Sequence, residues 1–251
     1  MCCFSRPVEH VNATRIFARP VLDGRQVIVY TMTLSAPEPL AMILPIPTRR
    51  GAGEDAVQFV SLLDYRHLFS DIERGFPEPE TLGPLGRSAP AAGGGNTLRV
   101  VQVGSFVASF VPRVADFERL DSQFRLPAGV WEKLPQYGDF GFAVFRLKSG
   151  RARIHPMAFT FPTAIPGKLF FPTVHIHDGV VHREAEFDHA LYCQVTRAGQ
   201  RAMAEWNESA WPASRFVNVK QANDLVVADR HIYRRTLSGV LPNQDVLLEA
   251  A

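Results

Sequence analysis

The residues best able to do chemistry in this 251-residue chain fall in one short stretch, His175-Ile176-His177-Asp178-Gly179-Val180-Val181-His182. Asp-Gly between alternating apolar and polar residues is a strong signal for a two-residue hairpin turn. In that register His177 pairs with Val180, Ile176 with Val181 and His175 with His182. Side chains alternate along a strand and directly paired residues share a face, so His175, His177 and His182 converge on one patch. Opposed Cβ atoms lie roughly 5 Å apart, which lets three imidazoles close around an ion at about 2.0 to 2.1 Å. Three ligands with an open position are the pattern of a catalytic metal centre, and imidazole suits zinc, copper or iron alike.

Neighbouring residues could complete such a site. Glu184 has the parity of His182 and would serve as a ligand, a catalytic carboxylate or an acceptor fixing an imidazole tautomer. His189 has the opposite parity and groups with Leu191 and Cys193 as a core histidine, unless a bulge turns it inward as an extra ligand. His155 becomes a further ligand if its strand lies beside the hairpin, and Cys3 would add a thiolate. The same pattern also fits a solvated or pH-sensitive histidine face with no metal.

Thiols offer a second chemistry. Cys2, Cys3 and Cys193 are too few and too oddly spaced for a disulfide framework, and adjacent cysteines bridge only with strain. If Met1 is removed, Cys2 carries a free α-amine beside its thiol, the arrangement of an N-terminal nucleophile amidohydrolase in which the amine is the base. Arg19 and Asp23 stand downstream, where such enzymes place an arginine and an aspartate.

The elements that must position these residues read as β structure. The 18 glycines and 19 prolines are spread widely, and Phe, Val, Ile and Thr gather in short runs. The expected fold is a β-rich α+β protein of antiparallel sheets or a sandwich, with a few short helices. Strands are expected over 14–20, 26–34 and 40–46, the first two joined by an Asp23-Gly24 turn, and a short helix over 62–69 ahead of Pro77. A long strand follows at 98–111, a helix at 115–124, strands at 140–148, 152–161, 168–177 and 180–195, and a helix at 197–209. Residues 78–96 are rich in Pro, Gly, Ser and Ala, and separate a β-rich half (1–77) from an α+β half (97–251) that carries the hairpin; the two halves are free to share one core.

Hydrophobic residues make up 46% of the chain, enough for a sizeable core. The formal charge of +2 comes from 27 basic and 25 acidic residues mixed along the chain, so no stripe marks a nucleic-acid footprint. No apolar run reaches the roughly 18 residues of a membrane span, and the N-terminus lacks a charged leader followed by an apolar stretch, so a cytoplasmic location is expected. No Walker loop or Gly-x-Ser-x-Gly elbow is present.

Leu40-Ala41-Met42-Ile43-Leu44-Pro45-Ile46-Pro47, then Val103-Gly104-Ser105-Phe106 and Leu134-Pro135-Gln136-Tyr137-Gly138-Asp139-Phe140-Gly141-Phe142, resemble an uncharacterised bacterial family that pairs an N-terminal cysteine with a strand ending in Leu-Pro-x-Pro. The resemblance covers about half the chain, implies no activity, and belongs to proteins that are typically exported. From the residues, the leading expectation is a mononuclear three-histidine metalloenzyme, holding a transition metal and acting on a small molecule. The Cys2-dependent amidohydrolase is the alternative, and a non-catalytic β-sheet binding module is the second. Oligomeric state is not encoded legibly.

Overall fold

A computed structural model describes residues 2–77, 101–103 and 106–249, with backbone alone at Cys2 and 101–103. The segment expected at 78–96 to separate two halves lies outside the described residues. Among those described, sixteen strands follow in chain order: β1 Cys2–Phe4, β2 His10–Val21, β3 Arg25–Ala36, β4 Leu40–Ile46, β5 Gln58–Ser61, β6 Val101–Val103, β7 Phe106–Val111 and β8 Gly141–Leu147. They continue with β9 Gly150–Arg153, β10 Met157–Pro162, β11 Lys168–Phe171, β12 His175–Ile176, β13 Glu184–Cys193, β14 Asn207–Glu208, β15 Tyr233–Pro242 and β16 Val246–Glu249. The α-helix α1 at Leu68–Arg74 and several 3₁₀ turns complete a β-rich α+β fold.

Two large sheets carry the architecture. The first runs β12-β1-β4-β8-β7-β6, and the second β14-β15-β13-β2-β3-β10-β5 with β9 also paired to β3. Their facing sides form one core in which Phe4, Met42, Leu44 and Phe145 from the first sheet meet Ile16, Ile28, Tyr30, Phe159 and Leu191 from the second. That core draws on residues from both sides of 78–96. The outer side of the second sheet is covered in part by α1, where Leu68, Phe69 and Ile72 pack on Phe17, Val29 and Tyr192. The outer side of the first sheet is covered by the 3₁₀-rich stretch holding Phe117, Val130, Leu134 and Tyr137, packed on Cys3, Ile43, Phe142 and Ile176.

These coverings explain the sequence pattern. Every residue of β4 is buried, because both of its faces are covered, so it reads as an unbroken apolar run. β13 changes along its length: Glu184, Glu186 and Asp188 are exposed opposite buried Phe187 and His189, then Leu191, Tyr192 and Cys193 are all buried. The strand leaves a one-sided environment and enters a two-sided one.

Several elements depart from expectation. The sheets are mixed, because β1 pairs parallel with β12 and β13 parallel with β2. The stretch expected as one strand at 98–111 is two strands paired antiparallel, Val103 opposite Phe106. Pro156 and Pro172 each break an expected strand into two, since proline has no N–H to give a ladder. The helix expected at 115–124 is two 3₁₀ turns, Val114–Arg119 and Ser122–Phe124, separated by an extended Leu120; Asp121 caps the second by accepting from the Gln123 N–H at 3.1 Å. The helix expected at 197–209 is a 3₁₀ turn at Gly199–Met203 followed by β14. No helix among the described residues is long and apolar enough to cross a membrane.

Candidate functional site

The histidine hairpin does not form. Residues 175–176 instead pair parallel with β1, Cys2 opposite His175 and Cys3 opposite Ile176. Gly179 takes φ +80°, a conformation glycine adopts freely, but the chain beyond it never turns back to pair with β12. The side chain of Asn243 replaces the hairpin ladder. It accepts from the His175 N–H at 2.6 Å, donates to the His175 carbonyl at 2.9 Å, and donates to the His182 carbonyl at 3.0 Å. His182 therefore points outward, its Nε2 2.9 Å from Oδ2 of Asp178, with both side chains exposed. Asp178 also receives the Val180 N–H at 2.9 Å, an Asx turn that holds the loop.

A different set of imidazoles converges. On β12 the side chain of Ile176 faces the outer cluster with Cys3, so alternation turns His175 and His177 into the space between the sheets. β13 lies in the other sheet and presents His189 to the same space. Nε2 of His175 is 3.1 Å from Nε2 of His189, and the ring of His175 stacks on both His177 and His189 at centroid separations of 4.9 and 4.7 Å. Phe187 packs on His175 at 4.4 Å and Phe4 on His177 at 5.6 Å. His189, expected to point away from the other histidines, meets them because they approach across the sandwich and not along a hairpin.

The cluster is neutral. Burial pushes His175 down to about 2 and His177 down to about 4 from the ordinary value of 6.5, and His189 lower still. In the His175–His189 contact one nitrogen must donate and the other accept, which ties the two tautomers together. Nε2 of His177 and Nδ1 of His189 are buried without a hydrogen-bond partner among the described residues.

The other expected residues scatter. Glu184 is exposed at the start of β13, opposite Pro242. His155 is buried, its ring on Phe106 at 3.9 Å and its Nδ1 3.2 Å from the carbonyl of Pro156, and burial pushes it down to about 4. Cys3 is fully buried in the outer cluster of the first sheet and is not in a disulfide. Cys193 is buried against Met203, Sγ to Sδ 3.8 Å, and burial raises its thiol far above the ordinary range. The Cys2 side chain and Met1 lie outside the described residues. Arg19 sits in the other sheet from Cys2, its Nε donating to the Leu225 carbonyl at 2.7 Å, while Asp23 is in the β2–β3 turn.

Among the described residues no group of three or more His, Cys, Asp or Glu side chains could hold a metal ion. The three-ligand metal centre of His175, His177 and His182 is overturned by the first step of its geometry: the hairpin that would bring His182 to the others is absent.

Neither a family model nor a curated protein matches the chain. Solved structures do. The crystal structure of baculovirus P35 superposes with a TM-score of 0.53 at 14% identity, over 96% of this chain and 96% of that one. The chain shares the fold of baculovirus P35. A mutated baculovirus P35 after caspase cleavage gives a TM-score of 0.51 at 15% identity, over 98% of this chain and all of that one. P35 in its complex with caspase-8 gives 0.51 at 14% identity, over 95% and 96%.

Sequence reasoning missed Asn243, Phe4 and Phe187. Asn243 lies more than 60 residues from the segment it clamps, and no local signal announces a side chain that substitutes for a strand.

Proposed function

We propose that this chain is a non-catalytic β-sandwich that acts by binding another protein, and that its partner is a peptidase of the caspase class. The observation that carries the reading is the likeness to baculovirus P35 over 96% of both chains, in a fold that one solved structure holds in complex with caspase-8. The local chemistry agrees. His175 and His189 are buried between sheets where no substrate reaches, and Cys3 and Cys193 are buried thiols, the second held firmly in its protonated form. Buried inert thiols and sealed neutral imidazoles suit packing better than turnover.

The test is to incubate the purified chain with active caspase-8 at equimolar concentration, then read size-exclusion elution and intact mass. Co-elution of the two proteins, or cleavage of the chain accompanied by retention on the peptidase, is the expected result. Separate elution with the chain uncut and the peptidase fully active would overturn the reading.

A further inference from the structure

The outer side of the second sheet is covered by α1 over only part of its width, and the uncovered part carries an unused cationic surface. Register places His10 opposite Ser35 and Asn12 opposite Thr33 between β2 and β3, then Thr33 opposite Arg153 and Ser35 opposite Arg151 between β3 and β9. Paired residues share a face, so these side chains form one surface. An open cleft of about 240 Å³ lies there, lined by His10, Asn12, Thr33, Ser35 and Arg151. All four residues of β9 are exposed, and among the described residues β9 pairs with β3 alone, which makes it a sheet edge.

The charges on this face are unevenly satisfied. Glu73 is engaged by Arg15 at 2.6 Å, Asp188 accepts from the Ala13 N–H at 2.5 Å, and Glu9 accepts from the Ser35 hydroxyl at 2.7 Å. Arg151 and Arg153 make no salt bridge among the described residues. Burial and then the nearby Arg15 make Arg153 a weaker base than usual, against a smaller opposite pull from Glu73, which Arg15 already engages.

We propose that the cleft and the two arginines of β9 form a docking site for an extended acidic segment of a partner protein. Its carboxylates pair with Arg151 and Arg153, and Asn12 and Thr33 supply further hydrogen bonds in the cleft. Residues two apart on a strand project from one face about 6.6 to 6.8 Å apart, the spacing at which Arg151 and Arg153 stand and at which alternate residues of an extended peptide also stand. A single small anion spans that distance poorly. A strand bearing acidic residues at every second position matches both guanidiniums and also meets the open backbone edge of β9. The proposal rests on the reading of the chain as a protein-binding module, and makes this face its recognition surface.

Calorimetric titration of the whole chain with the peptide Thr-Glu-Thr-Glu-Thr-Glu tests it without any peptidase, so its outcome is independent of complex formation with caspase-8. Saturable binding is expected, weakened about tenfold or more in the Arg151→Ser, Arg153→Ser double variant, whose positions are exposed. The isomeric peptide Glu-Glu-Glu-Thr-Thr-Thr is expected to bind more weakly, and inorganic phosphate to compete poorly. Undetectable peptide binding, affinity unchanged in the double variant, or equal affinity for the two peptides would overturn the site as drawn. Phosphate competing as well as the peptide would show a small-anion site and overturn the protein partner.

Discussion

His175, His177 and His189 are held neutral chiefly by burial between the sheets, which outweighs the pull of Asp178 on His177. That sets the sign of their pH dependence. Above about pH 6.5 the rings are neutral in folded and unfolded chain alike and favour neither. As pH falls below that value the unfolded chain binds protons that the folded chain refuses, down to about 4 for His177 and about 2 for His175. Stability is therefore lost on acidification, by about 1.4 kcal/mol per pH unit for each fully buried ring. Urea unfolding at pH 7 and pH 5 checks this, with a lower midpoint expected at pH 5 and a shallower dependence in a His189→Leu variant; equal midpoints contradict it. Asp245 is a buried carboxyl, and its pKa moves the opposite way. It accepts from the Tyr137 hydroxyl at 2.6 Å and the N–H groups of Thr173 and Val174 at 2.8 and 3.1 Å, while burial raises its pKa. Asp245→Ala leaves three buried donors unpaired and is expected to cost about 3 to 5 kcal/mol, measured by denaturant unfolding.

Elements here are fixed by contacts distant in sequence. Asn243, directly after β15, makes the three hydrogen bonds that hold His175 and His182 in place. Asn243→Ala is expected to lose about 2 to 3 kcal/mol and to raise amide exchange at His175 well above that at β4. Gly75, just after α1, is pressed by the ring of Phe216, and a Cβ there would lie 2.5 Å from it. Gly75→Ala is expected to cost about 1 to 3 kcal/mol and lower the melting temperature, because the ring and the helix end must part. β4 was legible in the sequence to the residue, since a strand covered on both faces is a bare apolar run between turn residues. The parity of His189 with Leu191 and Cys193 was also legible, because alternation is local. The partner of β12 was not. Asp178-Gly179 carries a hairpin signal as strong as any in the chain, yet β1 occupies the strand position beside β12, and no local pattern encodes a contact between residues 2 and 175.

At the scale of the molecule, two sheets share one interior and are covered outside by α1 and a 3₁₀-rich stretch, so His155, His175, His189, Cys3 and Cys193 end up buried. The β-rich class followed from composition. A metal centre did not survive, because the geometry that implied it depended on one hairpin. What remains outside the layers is the face on which we propose a partner docks, with Arg151 and Arg153 exposed on β9. The central claim is that this surface serves protein binding without catalysis. Residual activity of the caspase-class peptidase proposed as partner, measured against increasing molar ratio of the chain, tests it most directly. A progressive fall that reaches its floor near one chain per active site is predicted, and activity unchanged at a several-fold excess of the chain, with the chain uncut, would contradict it.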